Sequence, residues 1–92
     1  MAKIEVTPAG NRLFRVEIED DAGRSEHEVT VPDGYAEQLG AGDVALQDLV
    51  RESVRFLLER EPKESILSSF ALSDIPGYFP GYEDEIAGRV AG

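Results

Sequence analysis

Any chemistry in this chain has to start from its one histidine. His27 stands in His27-Glu28-Val29-Thr30-Val31, and the fourth residue after it is Val31. The paired-histidine spacing of a helical zinc protease is therefore not present. A lone histidine on the inward side of an alternating stretch reads as a hydrogen-bonded core residue rather than a ligand. The acids come next. Glu17, Glu19, Asp20, Asp21, Glu26 and Glu28 crowd one hairpin and face only Arg24 nearby. Such oxygens suit a divalent cation, but Asp20-Asp21-Ala22-Gly23 lacks the spacing and closing glutamate of a calcium loop, so a solvated turn is expected. Acid–base work by two of these carboxylates needs a cleft and separated pKa values, and the sequence indicates neither. Ser25, Ser53, Ser65, Ser68, Ser69 and Ser73 fall in no nucleophile-elbow pattern, and spacing assembles no Ser-His-Asp set. Gly40-Ala41-Gly42 is too short for a phosphate-binding loop and lacks its lysine. The chain has no cysteine, which excludes disulfides, zinc–thiolate sites and thiol nucleophiles. The expectation is a protein that is not an enzyme and holds no cofactor or metal.

Periodicity supplies the elements that position these groups. Ile4 and Val6 alternate with Lys3, Glu5 and Thr7, and Pro8-Ala9-Gly10-Asn11 reads as a turn. Phe14, Val16 and Ile18 then share one face, with Arg15, Glu17 and Glu19 on the other. After the Asp20–Gly23 turn, His27, Val29 and Val31 point inward, and Glu26, Glu28 and Thr30 outward. Short turns imply an antiparallel meander of three strands, near residues 2–7, 12–20 and 25–31. Beyond Pro32-Asp33-Gly34 the period changes. Tyr35 to Leu39 suits a short helix ended by Gly40-Ala41-Gly42, and Asp43 suits the N-cap of the next one. From 44 to 60, Leu46, Leu49, Val50, Val54, Leu57 and Leu58 form an apolar stripe at helical spacing. Phe56 lies off the stripe and points to a second surface. Asp48–Arg51, Glu52–Arg55 and Arg55–Glu59 can pair along the polar face. Pro62, Lys63 and Glu64 suit another helix N-terminus, with Ile66, Leu67 and Phe70 as a short apolar face. In the tail, Pro76-Gly77 and Pro80-Gly81 interrupt a near-helical run of Ile75, Tyr78, Phe79, Tyr82, Ile86 and Val90. The pattern predicts two helical turns, with Ser73 or Asp74 capping the first and Glu83, Asp84 and Glu85 at the positive end of the second. The fold class expected is α+β: one domain over residues 1–92, its meander covered by a main helix at about 44–60 and by short C-terminal helices.

Composition narrows the partners. A chain of 92 residues buries roughly 60–65% of its unfolded surface, which allows one modest core and little room for a deep cavity. Nineteen acids against nine bases give a net charge of −10. Such a chain repels nucleic-acid phosphates and anionic lipid, and its field steers it toward cations or basic protein surfaces. Met1-Ala2-Lys3-Ile4-Glu5 has no apolar core of signal-peptide length, and no run approaches the roughly 18 apolar residues of a membrane span. A cytoplasmic protein with no membrane or nucleic-acid partner is expected.

Two resemblances bear on function. The stretch from His27 to Glu61 resembles the ribbon-helix-helix family: His27-Glu28-Val29-Thr30-Val31, a proline, a short helix, a turn, then Leu46-Gln47-Asp48-Leu49-Val50-Arg51-Glu52-Ser53-Val54-Arg55-Phe56-Leu57-Leu58. That resemblance implies a strand-paired homodimer acting as a transcriptional regulator or antitoxin, with outward strand residues in the DNA major groove. Here those residues are Glu26, Glu28 and Thr30, and two carboxylates face a phosphate-lined groove. Most of the chain also resembles small uncharacterised bacterial proteins. The residues concerned are the His27–Pro32 stretch, Leu49-Val50-Arg51, Phe56-Leu57-Leu58-Glu59-Arg60-Glu61-Pro62, Ser65-Ile66-Leu67, and Tyr78-Phe79-Pro80 with Tyr82. This second likeness implies a bacterial cytosolic protein and no particular activity.

The tail gives the positive clue. Tyr78, Phe79 and Tyr82 are three of seven aromatics and fall within five residues. Such rings are enriched at interface cores, and the intervening Pro-Gly pairs limit the entropy lost on docking. The three are the candidate interface of a protein-interaction or regulatory accessory module, which meets a protein partner or a second copy of itself. The competing expectation is that they cap the domain's own core beside Ile66, Leu67 and Phe70.

Overall fold

Alternation of apolar and charged residues builds the first half of the protein as a sheet. The structure is a computed structural model that describes residues 2–91. Strands β1 (Lys3–Gly10), β2 (Leu13–Asp20) and β3 (Gly23–Thr30) pair antiparallel in sequence order. Their register sets Val6 opposite Val16 and Val16 opposite His27, with Phe14 opposite Val29. All of these side chains are buried on the inner face. The pleat sends Glu5, Glu17 and Glu26 to the other face in one cross-strand row. That face stays exposed, where water screens neighbouring carboxylates. β1 runs longer than its alternation suggested. Pro8, Ala9 and Gly10 stay in the strand with a bulge between Pro8 and Gly10, and the turn falls on Asn11 and Arg12. Pro8 is tolerated because β1 is an edge strand. Arg12 takes φ 60°, and its carbonyl accepts a hydrogen bond from the Val31 amide at 2.9 Å.

Helices cover the inner face. Gly34, at φ 80°, turns the chain into α1 (Tyr35–Gln38), and Gly40, at φ 78°, ends that turn. Helix α2 (Leu46–Leu58) buries Leu49, Val50, Ser53, Val54, Phe56 and Leu57. It starts after Ala45 rather than at Asp43, with no side-chain cap, so the expected N-cap is displaced by two residues. The outer stripe members Leu46 and Leu58 are only partly buried.

The region after Pro62 departs most from the periodicity reading. Lys63–Ser65 is a single 3₁₀ turn, and Ser69–Ala71 is a fourth strand, β4, not the face of a helix. β4 lies parallel to β3, with Phe70 opposite Val29, and completes the order β1-β2-β3-β4. The expected three-stranded meander is thus the antiparallel part of a four-stranded mixed sheet. A second 3₁₀ turn (Leu72–Asp74) leads into α3 (Ile75–Tyr78) and then α4 (Tyr82–Ala91). Pro76 stands inside the first turn of α3, where its missing N–H costs nothing. Tyr82 and Ile86, one helical turn apart, are fully buried and pack α4 against α2. The chain is therefore an α+β fold around one hydrophobic cluster. Among the described residues, no helix is long and apolar enough to cross a membrane.

Candidate functional site

The three aromatics of the tail have three different environments. Tyr82 is 0% exposed. Its ring meets Phe56 edge-on at 5.2 Å between centroids, and its hydroxyl lies 2.7 Å from Ser53 Oγ. Burial pushes its phenol pKa up to about 12. Phe79 is half-buried and meets Phe56 edge-on at 6.0 Å. Phe56, the residue off the helical stripe, is thus where the tail docks. Arg60 covers its ring, with the guanidinium carbon 3.6 Å from the centroid. Only Tyr78 is open, at 69%. The expected interface of Tyr78, Phe79 and Tyr82 is therefore divided. Tyr82 belongs to the core, because α4 continues past it and carries Ile86 to the same face.

Tyr78 borders a groove that sequence reasoning did not find. Its floor is Leu57, Ile66, Phe70 and Ile75, and Leu67 stands beside it at 52% exposure. Glu61 and Asp74 are the acids in its lining. The cavity measures about 110 Å³. Four elements place these groups. The last turn of α2 brings Leu57, and the turn that follows the helix brings Glu61, whose amide donates to the Leu57 carbonyl at 2.9 Å just before Pro62. The extended backbone at Ile66 alternates its neighbours, so Ile66 turns inward and Leu67 outward. Asp74 accepts a hydrogen bond from the Ala71 amide at 3.0 Å, which sets the turn from β4 into α3.

His27 and Lys63 anchor the segment that forms one wall. His27 is 4% exposed, and its Nδ1 lies 2.7 Å from the Leu67 carbonyl. A carbonyl only accepts, so Nδ1 carries the proton and donates it there. Nε2, 2.8 Å from Ser25 Oγ, then accepts from the hydroxyl in the neutral ring. Spacing alone did not reveal this serine–histidine contact. Its geometry resembles a nucleophile beside a base, but the third partner is a neutral carbonyl rather than the carboxylate of a triad. Its visible consequence is structural: it ties residue 67 to β3. Lys63 acts at the other end. Its side chain is 3% exposed, and Nζ contacts Asp20 at 2.9 Å and also Glu64. Those carboxylates, Glu64 foremost, hold the Lys63 pKa above its ordinary value, and Lys63 holds the Asp20 carboxyl below its own. The acidic hairpin thus meets a buried lysine as well as Arg24, which lies 3.5 Å from both Glu17 and Glu19. Among the described residues, no three His, Cys, Asp or Glu side chains gather where they could hold a metal ion.

No protein-family model matches the chain, and no curated protein or solved structure matches it either.

Proposed function

We propose that this protein is a protein-interaction module, an accessory or regulatory subunit whose partner docks at the groove between Leu67 and Tyr78. One observation carries the reading: the two large hydrophobic side chains left exposed among the described residues, Leu67 and Tyr78, border the same concave apolar surface. Single exposed apolar residues are ordinary, but two beside one cleft form a patch with a shape. A cavity of about 110 Å³ suits one inserted side chain rather than a small-molecule substrate, for which pockets run roughly 300–1,000 Å³. The test is the double substitution Leu67→Ser, Tyr78→Ser. Its unfolding midpoint should match that of the wild type, while a protein retained by the wild type from native lysate, and identified by mass spectrometry, is lost. An unchanged set of retained proteins, with the wild type monomeric by light scattering, would sink the proposal.

The alternative is a ribbon-helix-helix regulator or antitoxin. That class needs the strand at 27–31 free to pair with a second copy. Here β3 is flanked by β2 on one edge and β4 on the other, which favours the module. Glu26 and Glu28 on its outward side, with a net charge of −10, weigh the same way. Fluorescence titration against genomic duplex fragments should give no sequence-selective binding at physiological salt.

A further inference from the structure

We infer that the occupant of the groove is a short basic segment of another protein, with one large apolar side chain seated between Leu67 and Tyr78 and with lysine or arginine on its flanks. The inference rests on reading the groove as a docking site, and it adds the partner's chemistry. Size sets the anchor, because about 110 Å³ suits one large side chain. Charge sets the flanks. Among the described residues no basic side chain lines the groove, whereas Glu61 and Asp74 both do. Asp74 spends Oδ2 on the Ala71 amide and keeps Oδ1 for another donor. Glu61 enters no ion pair among the described residues. From 61 to 86 the chain has six acids, Glu61, Glu64, Asp74, Glu83, Asp84 and Glu85, against the single base Lys63. Lys63 is buried and held by Asp20 and Glu64, so it offers the groove no positive charge.

The same charges argue against a second copy of this chain. A two-fold interface sets the same patch against itself, so Glu61 and Asp74 would meet their own kind between two chains that each carry −10. Anionic lipid and nucleic acid are repelled on the same ground. A basic segment gains from the field at long range and loses little at contact, because the acids lie at the rim of the apolar floor.

Three synthetic peptides test this: a central Leu-Phe flanked by lysines, the same core flanked by glutamates, and the same core flanked by serines. Each is titrated into the full chain and followed by amide NMR. The lysine peptide should perturb the amides of Leu67, Phe70 and Tyr78. Its binding should weaken about tenfold or more as salt rises from about 0.01 M to about 0.15 M, which shortens the Debye length from about 30 Å to about 8 Å. Glu61→Lys should weaken it several-fold, and the glutamate peptide should not bind. If the serine or glutamate peptide occupies the groove as tightly as the lysine peptide, the basic-partner inference falls and the docking reading survives. If the lysine peptide perturbs only the outer sheet face, or binds the folded Leu67→Ser, Tyr78→Ser variant equally well, both fall. An unchanged unfolding midpoint in each variant separates loss of binding from loss of fold.

Discussion

Replacing Tyr82 with serine, and Tyr78 with serine in a second variant, separates the two tyrosines by burial. Tyr82 is 0% exposed, and its ring packs edge-on against Phe56 at 5.2 Å. Truncating a buried aromatic costs about 3–5 kcal/mol, because transfer and cavity contributions add. Tyr78 is 69% exposed and makes no side-chain hydrogen bond among the described residues, so its truncation should stay within about 0.5 kcal/mol. Tyr82→Phe divides the larger figure. Ser53 Oγ donates to the Leu49 carbonyl at 2.8 Å, so the Tyr82 hydroxyl is the donor in their 2.7 Å contact. Removing that donor leaves the ring in place and one buried acceptor short of a partner, at about 1 kcal/mol. In a domain this small, 1 kcal/mol shifts Tm by roughly 4–8 °C. Urea titration followed by circular dichroism reads all three, with a constant slope marking changes in stability alone. The expected order of cost is Tyr82→Ser, then Tyr82→Phe, then Tyr78→Ser. A Tyr78→Ser variant destabilised as much as Tyr82→Ser would refute the assignment of these rings to core and surface.

Three further outcomes follow from side chains away from the groove. Asp20, Glu59 and Glu64 have folded pKa values below their ordinary 3.8, 4.5 and 4.5, held down by Lys63, Arg89 and Lys63 respectively. Their stabilisation is present above those ordinary values and is lost as pH falls through the folded ones. Lys63→Gln should therefore flatten the acid limb of stability against pH, measured by urea titration from neutral pH downward. Lys63, raised above 10.5, adds stability below that value that is lost as alkaline pH passes its folded pKa. His27→Leu removes the donor to the part-buried Leu67 carbonyl and should cost about 1 kcal/mol. It should also speed hydrogen exchange at the Glu28 amide, which bonds to the Ser68 carbonyl at 2.8 Å. Gly88→Ala in α4 should stabilise by about 0.5–1 kcal/mol, since a Cβ there meets nothing within 4 Å. Gly40→Ala, equally uncrowded but at φ 78°, should destabilise by about 1–2 kcal/mol. Thermal unfolding separates the two glycines.

The parts of the fold legible in the sequence are those in which a period repeats. Phe14, Val16 and Ile18 alternate over a whole strand, and the stripe from Leu46 to Leu58 covers more than three helical turns. The signal failed where elements are short. β4 has three residues, and only its pairing with β3 makes it a strand. Ile66, Leu67 and Phe70 happen to match the spacing of a helical turn. Pro62-Lys63-Glu64 carries the marks of a helix start, yet the lysine folds inward to Asp20, a contact made across the hairpin and invisible to local pattern. The tail misled through its echo. Tyr78 and Tyr82 each follow a Pro-Gly pair, but α3 stops at Tyr78 while α4 begins at Tyr82. The spacing of Tyr82 to Ile86 was the available sign that the second ring turns inward. The groove had no such sign, because its walls come from α2, the extended segment near Ile66, β4 and α3, and no local period spans all four.

A sheet can recruit partners along its edges, and here both edges are interrupted. On β1 the Val6 carbonyl accepts from Gln47 Nε2 at 2.5 Å, Pro8 has no N–H to offer, and the bulge before Gly10 breaks the ladder. On β4 only three residues pair, and Asp74 takes the Ala71 amide. Strand addition needs a run of free backbone groups, and these features interrupt that run on each edge. The outer face of the sheet carries mixed charges, with Lys3 opposite Glu19, Glu19 opposite Arg24, and Arg15 opposite Glu28, all well hydrated and costly to strip of water. The groove differs in kind. Its floor gains from losing water, its acids sit at the rim where they can stay solvated or meet a cation, and Asp74 serves both places. The carboxylate that takes the β4 edge amide is also one of the charges that the proposed basic partner would meet, so a single side chain bears on the strand edge and on the groove.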